Sequence, residues 1–319
     1  MQSPTFHVTL RMHCKSFEQA IWQAPCEGDY ADYLHFYQLA SQSTEGSQAW
    51  RYGWLEQDGQ RCWVQAFLPT TETASGTWLH LHGYYDHGAS YPALQRWALA
   101  QNLVYVTLDL PGHGLSSGRR AAIRDFADYQ QWLQSLVVQL QKADMPRPWV
   151  LSGFSTGGAI TLDYLLSGER AFNRYALMAP LIRPVGWDAV SPWLLPLSWL
   201  ISSVPRKFRE NTHHEGHLHF VHHQDPMQSQ RLPLMWARAL KRWIRSIEKR
   251  SPCQESALIL QGSEDTTVDW QHNLAKLRQL LPQAKTHILT GARHQLLNES
   301  PAYQQQVLDQ LAQWLKGDA

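Results

Sequence analysis

Between a β-prone apolar run ending at Leu151 and a helix-compatible run beginning at Ala159 stands Gly153-Phe154-Ser155-Thr156-Gly157-Gly158. It fits G-x-S-x-G with one extra glycine, and that pattern demands a particular junction of strand and helix. A serine on so sharp a turn is forced into strained backbone angles, and only small residues two positions either side let the strand and helix pass closely. The pentapeptide alone is compatible with an ordinary turn, since glycine and serine are common in loops. Its flanks supply the context: Pro148-Trp149-Val150-Leu151 reads as a buried strand and Ala159 to Leu166 as a helix. In that setting Ser155 projects its hydroxyl into a cleft.

Bulk properties narrow the classes. The 319 residues, 44% hydrophobic, suffice for one large domain or one domain carrying an insertion. A net charge of +1 with scattered basic residues leaves no electrostatic footprint for nucleic acid, so no nucleic-acid partner is expected. The opening residues, Met1 to His7, lack the basic stretch and apolar core of a secretory signal, and no run of about eighteen apolar residues could span a bilayer, which reads as cytoplasmic. Cys14, Cys26, Cys62 and Cys253 are widely spaced without a C-x-x-C pair, so reduced thiols are expected and neither metal nor cofactor is called for. Oligomeric state is not legible.

Along the chain, residues 1–45 read as an amino-terminal extension packed on the core, with a helix from Tyr30 to Leu39. Trp50 to Leu55 and Cys62 to Leu68 alternate like half-buried strands around the turn Gln57-Asp58-Gly59-Gln60. Strand and helix patterns then alternate through Thr77 to Leu81, Val104 to Leu108, Val150 to Leu151 and Tyr175 to Met178. They resume at Ala257 to Leu260 and Thr286 to Leu289, with a last amphipathic helix from Pro301 to Trp314. Repeated βαβ units imply a mostly parallel sheet, helices on both faces, with functional groups at the carboxyl ends of the strands. Between Pro180 and Pro252 lies a segment rich in Trp, Pro and His that reads as a helical insertion without strands.

A serine hydroxyl is a weak nucleophile near neutral pH and needs a histidine base, itself oriented by a carboxylate. The two late strands offer both: Asp265 follows the first and His294 the second, with Glu264 and Asp269 as competing carboxylates. Taken alone, Asp265 could cap the next helix and His294 is one of sixteen histidines. Three suitable residue types in order, each just beyond a strand, are harder to dismiss. Oxyanion donors are expected from the amide of Thr156 and from that of Tyr84, in the turn His82-Gly83-Tyr84 after an early strand. His82 itself reads as a turn-stabilising residue rather than a proton carrier. The glycine-rich Asp109 to Gly118 shapes the loop beneath the cleft.

Together, His82-Gly-x-x-x-His87, Asp109-x-Pro-Gly-His-Gly-x-Ser116, Gly153-x-Ser-x-Gly157, Gly262-x-x-Asp-x-x-Val268 and Gly291-x-x-His-x-Leu-x-Asn-Glu299 resemble the monoacylglycerol lipase and lysophospholipase branch of the α/β-hydrolases. The resemblance spans about 75 to 315. It implies an α/β-hydrolase fold: a mostly parallel eight-stranded sheet, core 46–180 and 253–319, and a helical cap at 181–252. It also implies Ser155 as nucleophile, Asp265 as acid, His294 as base, and the Tyr84 and Thr156 amides as oxyanion donors. Phe154 stands where that branch often has histidine, and Tyr84 replaces a smaller residue.

The implied reaction is hydrolysis of a carboxylic ester through an acyl-enzyme, on a lipid-like monoacyl ester such as a monoacylglycerol or lysophospholipid. An acyltransferase with the same triad, or a non-catalytic binding protein on this fold, are the rivals. Val190 to Ile201 is strongly apolar but interrupted by prolines. It could line an acyl pocket, touch a lipid surface transiently, or pack on the body; substrate contacts are expected from His82, Gly83, Trp193 and Trp199. In His213 to His223 the spacings 213/217 and 219/223 would pair histidines on a helix, but a solvated cap segment is the preferred reading over a metal site.

Overall fold

A computed structural model of the chain describes residues 29–39, 50–71 and 73–317; Cys14, Cys26 and most of the extension lie outside them. Helix α1 (Asp29–Phe36) precedes the hairpin β1 (Trp50–Gln57) and β2 (Gln60–Phe67), paired antiparallel from Trp50↔Phe67 to Gln57↔Gln60. Its turn residues Asp58 and Gly59 have φ of 50° and 71°, the left-handed pair a two-residue hairpin loop needs.

The alternating section follows as β3 (Gly76–Leu81), α2 (Pro92–Ala100), β4 (Leu103–Leu108), α3 (Phe126–Lys142), β5 (Trp149–Phe154), α4 (Thr156–Ser167) and β6 (Arg174–Met178). The insertion holds α5 (Trp187–Val190), α6 (Leu194–Leu200), β7 (Ser203–Pro205), α7 (Glu215–His223), β8 (Arg231–Pro233) and α8 (Leu234–Ile247). Then come β9 (Leu258–Gly262), α9 (Trp270–Leu280), β10 (Lys285–Leu289) and α10 (Pro301–Lys316). The main sheet runs β1-β2-β4-β3-β5-β6-β9-β10, with β1-β2 and β2-β4 antiparallel and every other neighbour parallel. Because β4 lies on one side of β3 and β5 on the other, the crossovers diverge there and open a crevice at the carboxyl ends of β3 and β5.

Strands β3, β4 and β5 are buried along their whole length, which explains why they are largely apolar and lack the in–out alternation of a half-exposed strand. One core cluster holds residues of α3, α4, α8 and α9; the other holds residues of α1, α2 and α10 with Trp54, Trp63 and Trp78. The insertion is not purely helical: β7 and β8 pair as a short antiparallel ribbon, a departure from the strandless reading. Three-residue strands rich in Pro, Ser and Arg carry no alternation to read. Helix α8 seats the insertion on the body, burying Trp236, Leu240, Trp243 and Ile247 on one face, with Trp243 stacked on Phe126 at 5.1 Å.

Among the described residues no helix is long and apolar enough to cross a membrane. A buried polar cluster joins three parts of the chain: Asp225 of the insertion accepts from Tyr37 of the amino-terminal segment at 2.8 Å and pairs with His87 at 3.1 Å. Asp109 accepts from the amides of Gly88 and Leu115 at 2.6 and 2.7 Å, tying together the loops after β3 and β4.

At the β5–α4 junction a Cβ on Gly153 would lie 2.1 Å from the carbonyl oxygen of Gly157, and one on Gly157 would lie 2.0 Å from that of Leu81. Both obstacles are backbone and cannot swing aside. Gly153→Ala is therefore expected to lower unfolding stability by about 2–3 kcal/mol, measured by urea denaturation; an unchanged midpoint would refute the close-packing account.

Candidate active site

Ser155 adopts φ 51° and ψ −108°, a strained conformation for a residue with a side chain. Three hydrogen bonds hold it there: its N–H donates to Met178 O at 2.9 Å, and its carbonyl accepts from Ala159 N and Leu181 N, both at 3.0 Å. The hydroxyl lies 3.1 Å from His294 Nε2, and His294 Nδ1 lies 2.6 Å from Asp265 Oδ2. A carboxylate can only accept, so Nδ1 carries the proton and Nε2 is free to receive one from Ser155. Phe154 packs beside the imidazole at 4.9 Å between ring centroids.

Every remaining lone pair of Asp265 is used. Oδ1 accepts from the amides of Thr267 and Val268 at 2.8 and 3.0 Å, and Oδ2 also accepts from Gln261 Nε2 at 3.0 Å. Burial works to raise its pKa, but the His294 ring and these donors outweigh it and hold the carboxyl below its usual value. The competitors are occupied elsewhere. Asp269 caps α9 by accepting from His272 N, and Glu264 is exposed, 3.9 Å from His213.

The amides of Tyr84 and Thr156 have no acceptor among the described residues, and both residues line the cavity that holds Ser155 and His294. The bulk of Tyr84 is directed into packing: its hydroxyl donates to Ala121 O at 2.6 Å and its ring stacks on Trp236 at 3.8 Å. Tyr85, with φ 74°, completes the turn.

The cavity measures about 410 Å³. Leu181, Val185, Val190, Leu194, Trp236 and Leu240 supply much of its apolar lining. Four residues expected against substrate lie elsewhere. Trp193 and Trp199 are 68% and 83% exposed and do not line the cavity, because Leu194 takes the buried face of their segment. His82 is buried and spans two loops, its Nδ1 2.8 Å from Gly83 O and its Nε2 accepting from Leu110 N at 2.9 Å. Burial and neighbouring histidines push its pKa well down, so it is a neutral bracket. Gly83 donates to the Tyr91 hydroxyl and packs against Phe154 instead of facing the cavity.

The histidine run divides. His213 precedes α7 and bonds Glu299 at 2.9 Å, so it does not pair with His217; His219 and His223 do face each other, at 5.0 Å. No group of three metal-capable side chains forms among the described residues. Glu299 also accepts from the amides of Arg293 and Ser300, fixing the loop that carries His294. Neither the Asp225–His87 pair nor the seating of Gln261 under Asp265 is announced by a local motif, since each joins residues that only the fold brings together.

A family model described as "Hydrolase_4: Serine aminopeptidase, S33" matches residues 72–301. The chain is similar to the monoacylglycerol lipase of Mycolicibacterium smegmatis, 26% identical over 271 residues covering 81% of this chain and 93% of the relative. It is also similar to the mouse monoglyceride lipase, 25% identical over 275 residues, 81% and 88% respectively. Among solved structures, a soluble variant of the Saccharomyces cerevisiae monoglyceride lipase with a substrate analog superposes with a TM-score of 0.72, at 19% identity, over 89% of this chain and 98% of that one. That likeness shows the same fold.

Buried ionisable groups couple the site to pH. Asp225 is lowered because His87, Gln228 and the Met227 amide outweigh burial, and His87 is raised because Asp225 outweighs burial. Asp225 and Asp265 thus stabilise the fold above the unfolded carboxylate value of about 4 and lose that contribution as pH falls further. His87 contributes below about pH 6.5 and loses its contribution as pH rises through its raised folded value. Asp109, raised by burial, runs opposite to the other two carboxylates. Between pH 5 and 3 the melting temperature is expected to fall more steeply in wild type than in the double variant His87→Gln/Asp225→Asn, in which neither partner titrates. Parallel profiles would show that the pair is not ionised.

Proposed function

The chain belongs to the Hydrolase_4 family of α/β-hydrolases, and from that footing we propose that it is a serine hydrolase cleaving carboxylic esters by way of an acyl-enzyme. The observation that carries this reading is the unbroken hydrogen-bonded series Asp265–His294–Ser155 opening into a largely apolar cavity. Ser155 Oγ attacks the ester carbonyl carbon as His294 Nε2 takes its proton, and Asp265 stabilises the resulting imidazolium. The amides of Tyr84 and Thr156 hold the oxyanion of the tetrahedral intermediate. Collapse breaks the ester C–O bond, and His294 returns the proton to the leaving alcohol. Water, deprotonated by the same histidine, then releases the free acid and restores Ser155.

A monoacyl lipid ester, a monoacylglycerol or lysophospholipid, suits a cavity of this size with an apolar wall for one chain. The relatives named monoacylglycerol and monoglyceride lipase support the same class. An aminopeptidase would need negative charge for the substrate ammonium, whereas the described residues lining the cavity offer one carboxylate, Asp86, against the cations Arg206, Lys207 and Arg209. The outward apolar residues Trp193, Trp199 and Leu200 form the surface that a transient contact with lipid would use.

A fluorophosphonate probe should label wild type and fail on Ser155→Ala; equal labelling of both would reject the nucleophile. Asp265→Asn is expected to reduce kcat by about 10,000-fold, as in other triads, while Asp269→Asn, at a helix cap, should retain most turnover. The reverse ranking would reassign the acid. With p-nitrophenyl esters of increasing chain length, free acid should appear without any added alcohol or thiol, and a strict need for such an acceptor would indicate an acyltransferase.

A further inference from the structure

The walls of the cavity differ in chemistry. Lining residues from α5, α6 and α8 are mostly apolar, whereas the stretch after β7 contributes Arg206, Lys207 and Arg209. Those three cations face one carboxylate residue, Asp86, in the lining, although the whole chain carries a net charge of only +1. The concentration of positive charge is local.

Arg206 is held with care. Its amide donates to Gln230 O at 2.9 Å, extending the β7–β8 ribbon, and its guanidinium lies 4.0 Å from the ring centroid of Tyr85 and 4.3 Å from that of Phe208. Tyr85 directly follows the residue whose amide is proposed to hold the oxyanion, and Arg206 lines the same cavity as Ser155 and His294. Its hydrogen bonds go only to neutral oxygens, Gln228 Oε1 at 2.6 Å and Ser229 O at 3.3 Å, both from Nη1. Nε and Nη2 donate to nothing, and no carboxylate among the described residues forms an ion pair with it. Asp225, its other acidic neighbour, is already paired with His87.

A partly desolvated guanidinium without a counter-ion is costly, and two aromatic faces offset that cost while leaving the donor fork open. Nearby, Arg209 is anchored to Thr266 O at 2.6 Å, and Lys207 is exposed with no partner among the described residues. A neutral glycerol head offers these cations no counter-charge; an anion would meet them with charge-assisted hydrogen bonds.

We infer that Arg206, with Lys207 and Arg209, forms a subsite for an anionic group, phosphate or carboxylate, on the alcohol portion of the ester. This deepens the ester-hydrolase reading and rests on it. The apolar wall takes the acyl chain, and the cationic stretch takes the charged head.

The test uses three octanoyl esters below their aggregation concentrations: 1-octanoylglycerol, its 3-phosphate and 3-O-octanoylglycerate. Wild type is expected to favour an anionic ester in kcat/KM, and Arg206→Gln to cut that preference about 10–100-fold, chiefly through KM. Preference for the phosphate alone identifies a phospholipid head; preference for both anions identifies any small anionic head. Wild type favouring the neutral ester, or Arg206→Gln slowing all three equally, overturns the inference. Should Arg206→Gln not fold, Lys207→Gln and added salt replace it, and a preference insensitive to both is equally fatal. Calorimetric binding of octanoylglycerol phosphate and octanoylglycerate to Ser155→Ala reads the subsite without turnover. Tight anion binding with no hydrolysis by wild type would therefore sink the enzyme reading alone, and binding of neither would sink the subsite.

Discussion

The rest of the site depends on the close pass of β5 and α4 at Ser155. With Gly153 and Gly157 nearly in backbone contact, the serine is driven to positive φ, and its carbonyl and amide are clamped by Leu181, Ala159 and Met178. The strain costs on the order of 1–3 kcal/mol and persists because the neighbouring strands over-determine it. What it achieves is direction: the hydroxyl stands above the strand ends, where the loops after β3, β9 and β10 can reach it. The same turn leaves the Thr156 amide without an intrahelical partner, available to an oxyanion.

Those loops are positioned by a layer of buried polar contacts rather than by apolar packing. His82 brackets the turn after β3 to the loop after β4, and Asp109 pins the same two loops through Gly88 and Leu115. Glu299 fixes the His294 loop and reaches His213 of the insertion. Asp225 joins the insertion to His87 and Tyr37. Hydrogen bonds at low dielectric are directional, so such a network sets loop geometry in a way that interchangeable apolar contacts cannot.

Within the cavity the division of labour follows segment chemistry. Helix α8 lays Trp236 against Tyr84 and supplies apolar wall, while the stretch from Arg206 to Arg209 brings charge to the same space. The two leave opposite ends of the antiparallel β7–β8 ribbon, Arg206 following Pro205 and α8 following Pro233. A short ribbon of six residues thereby joins an apolar wall to a charged stretch of the same cavity.

Much of the frame was legible in the linear chain. Fully buried strands left largely apolar stretches, Asp58-Gly59 marked the hairpin turn, and Ser155, Asp265 and His294 each follow a strand because parallel βαβ units deliver their strand ends to one edge. Which carboxylate meets His294 was narrowed by order alone and distinguished by geometry, since Glu264, Asp265 and Asp269 differ only in where one loop points them. Trp193 and Trp199 show the opposite failure: hydrophobicity suggested lining, yet the helix turned Leu194 inward and left both tryptophans outside. The stretch around Trp193 and Trp199 has no period strong enough to announce which face is buried, and many of the insertion's partners lie far away in the chain. Local sequence thus determined the strands, the elbow and the order of reactive groups, because these rest on short-range sterics and periodicity. Only the tertiary structure decided the cavity wall, the Asp225–His87 tie and the open guanidinium of Arg206, because each depends on contacts between segments that share no local signal.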